Sequence, residues 1–496
     1  MTQPRGFIHQ CEQEELHLSG AIQPHGVLLI TDAQGVVSHC SANAETLLSD
    51  VEPPVGLGQP LPDCLHDVTA ALPELGPGER YIGQCDTPKQ EFDVVVTSHH
   101  GNGWIYELYP VDAHAAPMAA SSHVAAVPES GEELATQCQA LMENLLALSG
   151  FDRVLYYRFM PEGDGEVLAE ARREGVTGSY QGLRFPASDI PYIARQLYLK
   201  NPWRTIPDAT AAPVPIYAAQ ADATPDLSFV DLRSASPVHL EYMANMGVGG
   251  AISLPIIQGG ELDALISCHA AAPKQLTVSQ LDSMRALSEG FNLRLRDFKA
   301  RRRQQVIDGL QRHFDHAKTV LMRHGELESA WEELSDWLME TFAADGVMLQ
   351  MGEEYYQHGV GLTPHVMSMV AQQAAAEATH VWLSDSLQRD CPGMPLSEVA
   401  GVALISDLPL DQHHTVNLYL CRVEHIYDVT WGGNPDKPVD YRDGGSVVSP
   451  RRSFEAWVEQ RLGHSRPWTA STRLYLLKLR ALLQQAKSMP WRHDGE

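Results

Sequence analysis

The chain has 496 residues, 44% of them hydrophobic, with 36 Lys or Arg against 63 Asp or Glu and a formal charge of -27 at pH 7. That length accommodates about three domains of ordinary size, and the charge repels a phosphate backbone or an anionic bilayer, which argues against nucleic-acid and membrane-surface partners. The N-terminus, MTQPRGFIHQCEQEELHLSG, has no basic segment leading into an apolar run, no later stretch is long enough to span a bilayer, and the eight cysteines form no CxxC pair. A cytoplasmic protein with reduced thiols is expected, not a disulfide framework or a zinc cluster.

Between residues 22 and 110 the alternating runs Val27–Ile30, Phe92–Val96 and Trp104–Leu108, separated by turn residues, predict a small α+β domain on an antiparallel sheet. The Ala-, Ser- and Pro-rich stretch 113–131 reads as a linker. A second domain opens on a helical pattern through Leu134, Leu141, Leu145 and Leu148, continues in the strand Arg153–Phe159 and closes with strands over Gly249–Ile257 and Leu262–His269.

Thr277 and Gln280 have the spacing of a capping box at the head of a long helix, with Leu281, Met284, Leu287, Phe291, Leu295 and Phe298 on its apolar face. The pattern passes the basic run Lys299–Arg303, read as a solvated face, and continues to Val306, Ile307, Leu310 and Phe314. Periodicity of this length favours helix pairing between subunits, so a homodimer is expected. A third domain from about 318 mixes helix and strand and holds a Gly/Pro-rich excursion from Asp428 to Phe454, of a length that points to a functional or disordered loop. The last helix, Thr472–Ser488, reads as an output connector with nothing after it.

No GxxxxGK[ST], GxSxG, HExxH or kinase signature occurs, and Gly247-Val-Gly-Gly250 lacks the residues that handle phosphates, so no enzyme is expected. The informative stretch is Phe185-Pro-Ala-Ser-Asp-Ile-Pro191, ahead of the helical Tyr192–Tyr198. Pro191 suits a first helical position and Ser188 or Asp189 its cap, so capping alone is one explanation. Taken with residues 231–247 and Ile266–His269, it gathers arginines, histidines, tyrosines and serines among apolar residues, which suits a flat apolar ligand with anionic arms.

Cys11 followed by Gly20-Ala-Ile-Gln-Pro-His-Gly26, the PASDIP segment, SPVHLEYMANMGV from Ser236, Cys268-His269, Trp431-Gly-Gly433 and Pro450-Arg-Arg-Ser-Phe454 together resemble the bacterial phytochromes, in the family's order and over nearly the whole chain. The resemblance implies an α+β, three-domain PAS-GAF-PHY photosensory module with antiparallel sheets and long connecting helices. Its PAS domain would cover 1–115, its bilin-binding GAF domain 131–300 and its PHY domain 318–488, with a tongue at 424–460. It also implies a figure-of-eight knot, in which the segment around Cys11 and Ile22 threads a loop near 210–236.

By the same resemblance the ligand is a linear tetrapyrrole joined by a thioether to Cys11, whose thiolate adds to a ring A vinyl group. Plant and cyanobacterial phytochromes carry the attaching cysteine just before the GAF histidine. Here Val238 precedes His239, which favours biliverdin IXα over phycocyanobilin or phytochromobilin, and Cys268 reads as a small buried hydrophobe.

Arg204 and Arg233 match the propionate clamps, with Tyr198, Ser236 and Ser253 as helpers, although Ala251 stands where many relatives have Ser. The Asp189 carbonyl and His239 would receive the pyrrole protons and His269 would meet the ring D carbonyl. Tyr157, Phe185 and Tyr242 would surround ring D, and Ile22 and Ile190 complete the implied contacts. Z/E isomerisation between rings C and D would then move Asp189 from Arg451 to ring D, helped by Ser453. A tongue anchored by Trp431 and Gly432 would switch with it and signal to an output domain, such as a histidine kinase, or to a response regulator. Asp263-Ala264 replaces the usual Trp-Gly, with an effect expected on packing or assembly. Two rival readings are a PAS/GAF sensor of a cyclic nucleotide or haem, which needs neither Cys11 nor the PRRSF segment, and an enzyme whose catalytic domain lies beyond residue 496.

Overall fold

Runs that alternate in sequence become strands. The computed structural model describes residues 14–72, 75–76, 78–99, 103–111, 125–161, 163–220, 224–324, 327–395, 397–409, 415–435, 439–442, 445–448 and 454–486. Its first sheet is built from β1 (Ala21–Ile22), β2 (Val27–Thr31), β3 (Val37–Ser41), β4 (Arg80–Asp86), β5 (Glu91–His99) and β6 (Gly103–Pro110). Side chains alternate across a strand, so Val27 and Leu29 join Phe92, Val94 and Tyr106 in one core, while Leu28 and Ile30 join Val95 and Ile105 in another. That second core also contains Leu141, Met142, Ile252 and Ile266, so the first two domains share it.

The second domain's sheet comprises β7 (Arg153–Phe159), β8 (Gly165–Arg172), β9 (Arg184–Phe185), β10 (Arg204–Ile206), β12 (Gly250–Gln258) and β13 (Glu261–Ala270), in the order β10-β12-β13-β7-β8-β9. β11 (Val214–Ala218) leaves that sheet and pairs antiparallel with β3 and with β1. On its other side the N-terminal segment meets residues 227–233: Leu227 N donates to His17 O over 2.8 Å, Gln23 N to Leu232 O over 2.7 Å, and Ile22 bridges Arg233. Both flanks belong to one excursion between β10 and the helix Pro237–Asn245. These are the contacts the expected figure-of-eight crossing requires.

Local signals set the helix ends. Ser130 accepts from Glu133 N at the head of Gly131–Ser149, and Gly150 ends that helix at φ 62°. Thr277 N donates to Gln280 Oε1 and Gln280 N to Thr277 Oγ1, the reciprocal box expected there. The helix that follows, Val278–His324, runs 47 residues.

Two compact units are formed, Met1–Phe298 with Thr430–Trp457, and Lys299–Val429 with Val458–Glu496. The second unit holds β14 (Gly346–Met351), β15 (Glu354–Gly359), β16 (Val381–Ser384), β17 (Val399–Pro409) and β18 (Thr415–Val423), in the order β15-β14-β18-β17-β16. Parity again divides it: Val347, Leu418 and Leu420 pack with the helices Trp331–Phe342 and Ala470–Ala486, while Met348, Tyr419 and Cys421 pack with Pro364–Ala376. Among the described residues no helix is long and apolar enough to cross a membrane.

Candidate functional site

Strand parity decides which side chains of the second sheet face its cavity. On β12, Ile252, Leu254 and Ile256 enter the core, leaving Ala251 and Ser253 to line the cavity. On β13, Ile266 and Cys268 are fully buried in the core while Leu265, Ser267 and His269 line the cavity, and on β7 Leu155 and Tyr157 do the same. Burial pushes the Cys268 thiol up to about 12, which keeps it protonated and inert. No cysteine among the described residues lines the cavity. Ala264 is also fully buried in the core, paired with Ile256.

Two short helices supply the opposite wall. His239 and Tyr242, three residues apart on Pro237–Asn245, share its inner face with their rings near-parallel at 6.3 Å. Ahead of Tyr192–Tyr198, Asp189 lies in a 3-10 turn, Ala187–Asp189, and Pro191 occupies the N-cap position with no side-chain cap. Capping therefore does not account for Ser188 or Asp189. The Asp189 carboxylate is instead the acceptor for Tyr242, whose hydroxyl donates to Oδ2 over 3.0 Å.

Of the thirteen residues expected around the ligand, Tyr157, Phe185, Asp189, Ile190, Tyr198, Arg204, Arg233, Ser236, His239, Tyr242, Ser253 and His269 all line this one cavity. Ile22 does not. It is fully buried in the shared core. Cys11, Arg451 and Ser453 lie outside the described residues.

The electrostatics are asymmetric. Arg204 donates to the carbonyls of Asp231 and Arg233, and Arg233 to Leu227 O over 3.4 Å, and among the described residues neither has a carboxylate at ion-pair distance. Burial, then the neighbouring Arg204, lowers Arg233 to about 9. Burial lowers both His239 and His269 to about 4, helped by Arg204 in the first case and by Arg153 and His239 in the second, so both rings are neutral at pH 7. His269 Nε2 shares a 2.9 Å hydrogen bond with Ser267, while its Nδ1 is buried without a partner among the described residues.

Sequence reasoning missed the support behind Phe185. Arg153 on β7 and Glu170 on β8 form a buried ion pair. Arg153 also donates to Thr177 O and Gly178 O and lies 4.1 Å over the Tyr180 ring, while Glu170 accepts from Ser179, Tyr180 N and Gln181 N. Tyr180 in turn meets Phe185 edge to face at 6.0 Å. The pair is diagonal, with Arg153 opposite Arg172 and Glu170 opposite Leu155, so only the β7–β8 register reveals it.

From the far end of the chain, β19 (Tyr427–Gly432) adds to this sheet through a parallel pair between Trp431 and Arg184. Trp431 is 1% exposed. A Cβ on Gly432 would come within 2.5 Å of the Phe185 ring, so only glycine permits this approach. Phe454, also not anticipated as a site residue, packs on Tyr242 at 5.2 Å.

Three family models match the chain: the PAS fold over residues 11–111, the GAF domain over 133–295 and the phytochrome region over 310–489. A bacteriophytochrome of Xanthomonas campestris pv. campestris is 31% identical over 511 residues, covering 98% of this chain and 79% of that protein. The chain belongs to the phytochrome family. It is a PAS-GAF-PHY photosensory core, with the cavity in its GAF domain. A bacteriophytochrome of Pseudomonas aeruginosa is 29% identical over 96% of the chain, which spans 66% of that relative, just under two thirds. Among solved structures, the Stigmatella aurantiaca phytochrome photosensory core module matches with a TM-score of 0.78 at 28% identity, over 97% of this chain and 99% of that one. A bacteriophytochrome from R. palustris matches with the same TM-score at 25% identity, over 96% and 99%.

Proposed function

We propose that this chain is a red/far-red photoreceptor holding biliverdin, a linear tetrapyrrole, in the GAF cavity through a thioether to Cys11. The observation that carries the reading is a cavity, walled by apolar and aromatic residues, onto which converge two arginines and a histidine that, among the described residues, have no carboxylate partner and no partner on a buried nitrogen, respectively. Those donors fit a flat molecule with two carboxylates and a terminal carbonyl. Glu14, three residues after Cys11, lines the cavity, and three residues reach at most about 11 Å.

When bound, the pigment supplies the absorbing conjugated system and a bridge between rings C and D that isomerises in light. Arg204 and Arg233 hold its carboxylates through charge-assisted forks, with Tyr198, Ser236 and Ser253 as hydrogen-bonding neighbours. The Asp189 carbonyl and the neutral His239 accept pyrrole N–H groups. If Ser267 donates to Nε2 of His269, Nδ1 carries that ring's proton and donates to the ring D carbonyl. Tyr157, Phe185, Ile190 and Tyr242 bound the space around ring D, and Ile22 acts from behind the wall, through the backbone it pins.

Asp189 is the reporter. It holds Arg451 in the red-absorbing state and ring D, with Ser453, in the far-red-absorbing state, while Trp431 and Gly432 anchor the tongue. Driving such a switch from 1:99 to 99:1 takes about 5.5 kcal/mol, within reach of a few exchanged charge-assisted bonds. The long helices pair two copies and pass the change to an output domain or response regulator.

The test is an absorption spectrum of protein co-expressed with biliverdin synthesis, before and after red and far-red light, beside Cys11→Ser on a denaturing gel. Reversible red and far-red bands, with covalent pigment lost in the variant, support the proposal. A chain that binds no bilin but takes up haem or a cyclic nucleotide sinks it.

A further inference from the structure

Glu107, on β6 of the PAS domain, has no part in the chemistry above, yet it is 1% exposed and meets the loop that carries Arg233. Its Oε2 accepts from Leu232 N over 2.8 Å and from the Tyr109 hydroxyl over 3.0 Å. Leu232 is the residue before Arg233. The same loop is gripped from two more directions: Arg80, on β4, donates to Phe229 O over 2.6 Å, and Gln23 donates through its amide side chain to Asp231 O and Arg233 O and through its main chain to Leu232 O. Asp231 fixes Thr205, next to Arg204, by bonds of 2.8 and 2.7 Å. The loop bearing Arg233 is thus tied to the PAS domain by Glu107, Arg80 and Gln23, with Glu107 the carboxylate among them, and Asp231 on that loop holds the strand bearing Arg204.

We infer that Glu107 is a positioning residue for the arginine pair: by holding Leu232 N it aims Arg233 at an anionic group in the cavity, and its ionisation tightens that hold. The inference rests on the proposed reading of the cavity as a site for a pigment with two carboxylates. An ionised carboxylate accepts an amide N–H about twice as strongly as a neutral group does.

The groups facing Glu107 are Arg80 from β4, Tyr109 from β6 and Asp231 from the loop, with His25, Arg204 and Arg233 around them. Burial raises Glu107 to about 7, with Arg80 opposing the rise and Asp231 adding to it. Burial lowers His25 to about 4, lowers Arg233 only to about 9 and raises Tyr109 well above its usual 10. The grip on Leu232 therefore strengthens as pH rises through neutrality, while pigment carboxylates stay ionised across this window.

The experiment compares the wild type, Glu107→Gln and Glu107→Leu in two ways. Hydrogen exchange over residues 227–233 of the pigment-free chain reads the loop itself. Binding of biliverdin against its dimethyl ester, in a Cys11→Ser background at about pH 6 and about pH 8, reads the use of the pigment carboxylates, which a merely structural role would not move. The expected result is a wild-type preference for the free acid that rises by about tenfold between the two pH values, a flat and lower preference in Glu107→Gln, and faster loop exchange in both variants. Should Glu107→Leu fail to fold, the near-isosteric Glu107→Gln still decides. Unchanged exchange and an unchanged acid-to-ester ratio in Glu107→Gln would overturn the inference. A wild-type chain that binds neither pigment form would refute the proposed function instead, and the exchange comparison would then settle whether Glu107 holds the loop.

Discussion

The phenol of Tyr242 donates to Oδ2 of Asp189 across 3.0 Å, joining a helix to a turn 53 residues earlier in the chain. Tyr242→Phe removes that bond and leaves the ring in contact with Phe454. It is expected to lower stability by roughly 0.5–1.5 kcal/mol, measured by denaturant unfolding, while covalent attachment at Cys11 is retained. Because Asp189 is the proposed reporter of the flip, the variant should also alter the yield or dark reversion of the far-red-absorbing form, seen by absorption after red light.

Stability should respond to pH in two opposed ways. His239 and His269 titrate near 4 when folded, against an ordinary 6.5. The unfolded chain therefore binds more protons in between, and the stability they contribute is complete above 6.5 and lost as pH falls toward 4. Glu107 titrates near 7 when folded, against an ordinary 4.5, so the folded chain holds the extra proton and stability is lost as pH rises through that window. Each slope is about 1.4 kcal/mol per pH unit. Thermal unfolding of the pigment-free chain should show His269→Gln less sensitive than the wild type to acid below 6.5, and Glu107→Gln free of the loss between 4.5 and 7.

Glu170→Gln leaves Arg153 buried without its anion. Breaking a buried pair from one side costs about 3–5 kcal/mol, whereas replacing both partners with apolar residues is often near neutral. Equilibrium unfolding should therefore rank Arg153→Met/Glu170→Leu above Glu170→Gln. Equal losses in the two variants would contradict this account of the pair.

Gly432→Ala places a methyl group against the Phe185 ring at 2.5 Å. Overpacking of this kind costs about 1–3 kcal/mol, and here the cost falls on the pairing of β19 with β9. Faster hydrogen exchange at residues 430–432, with little change over β7 and β13, is the expected outcome. Uniform loss of protection across the GAF sheet would mean that the glycine supports the whole domain and not this edge.

What could be read directly from the chain was local. Val27–Thr31, Arg153–Phe159 and Tyr192–Tyr198 form their elements at or within a residue of the expected bounds, and the Thr277–Gln280 box closes as anticipated. The thirteen contact residues were named by the family resemblance and not by such local signals, and twelve of them line one cavity. Periods of two and 3.6 residues, and caps that act over three, are written in neighbouring positions. Tertiary structure alone decided the rest: that Ile22 enters the core and not the cavity wall, that Asp189 serves Tyr242 and not a helix end, and that Glu107 reaches Leu232 across 125 residues. Such contacts depend on how separate elements pack. A buried polar group must find a partner wherever the fold places one, and no spacing along the chain specifies which partner that is.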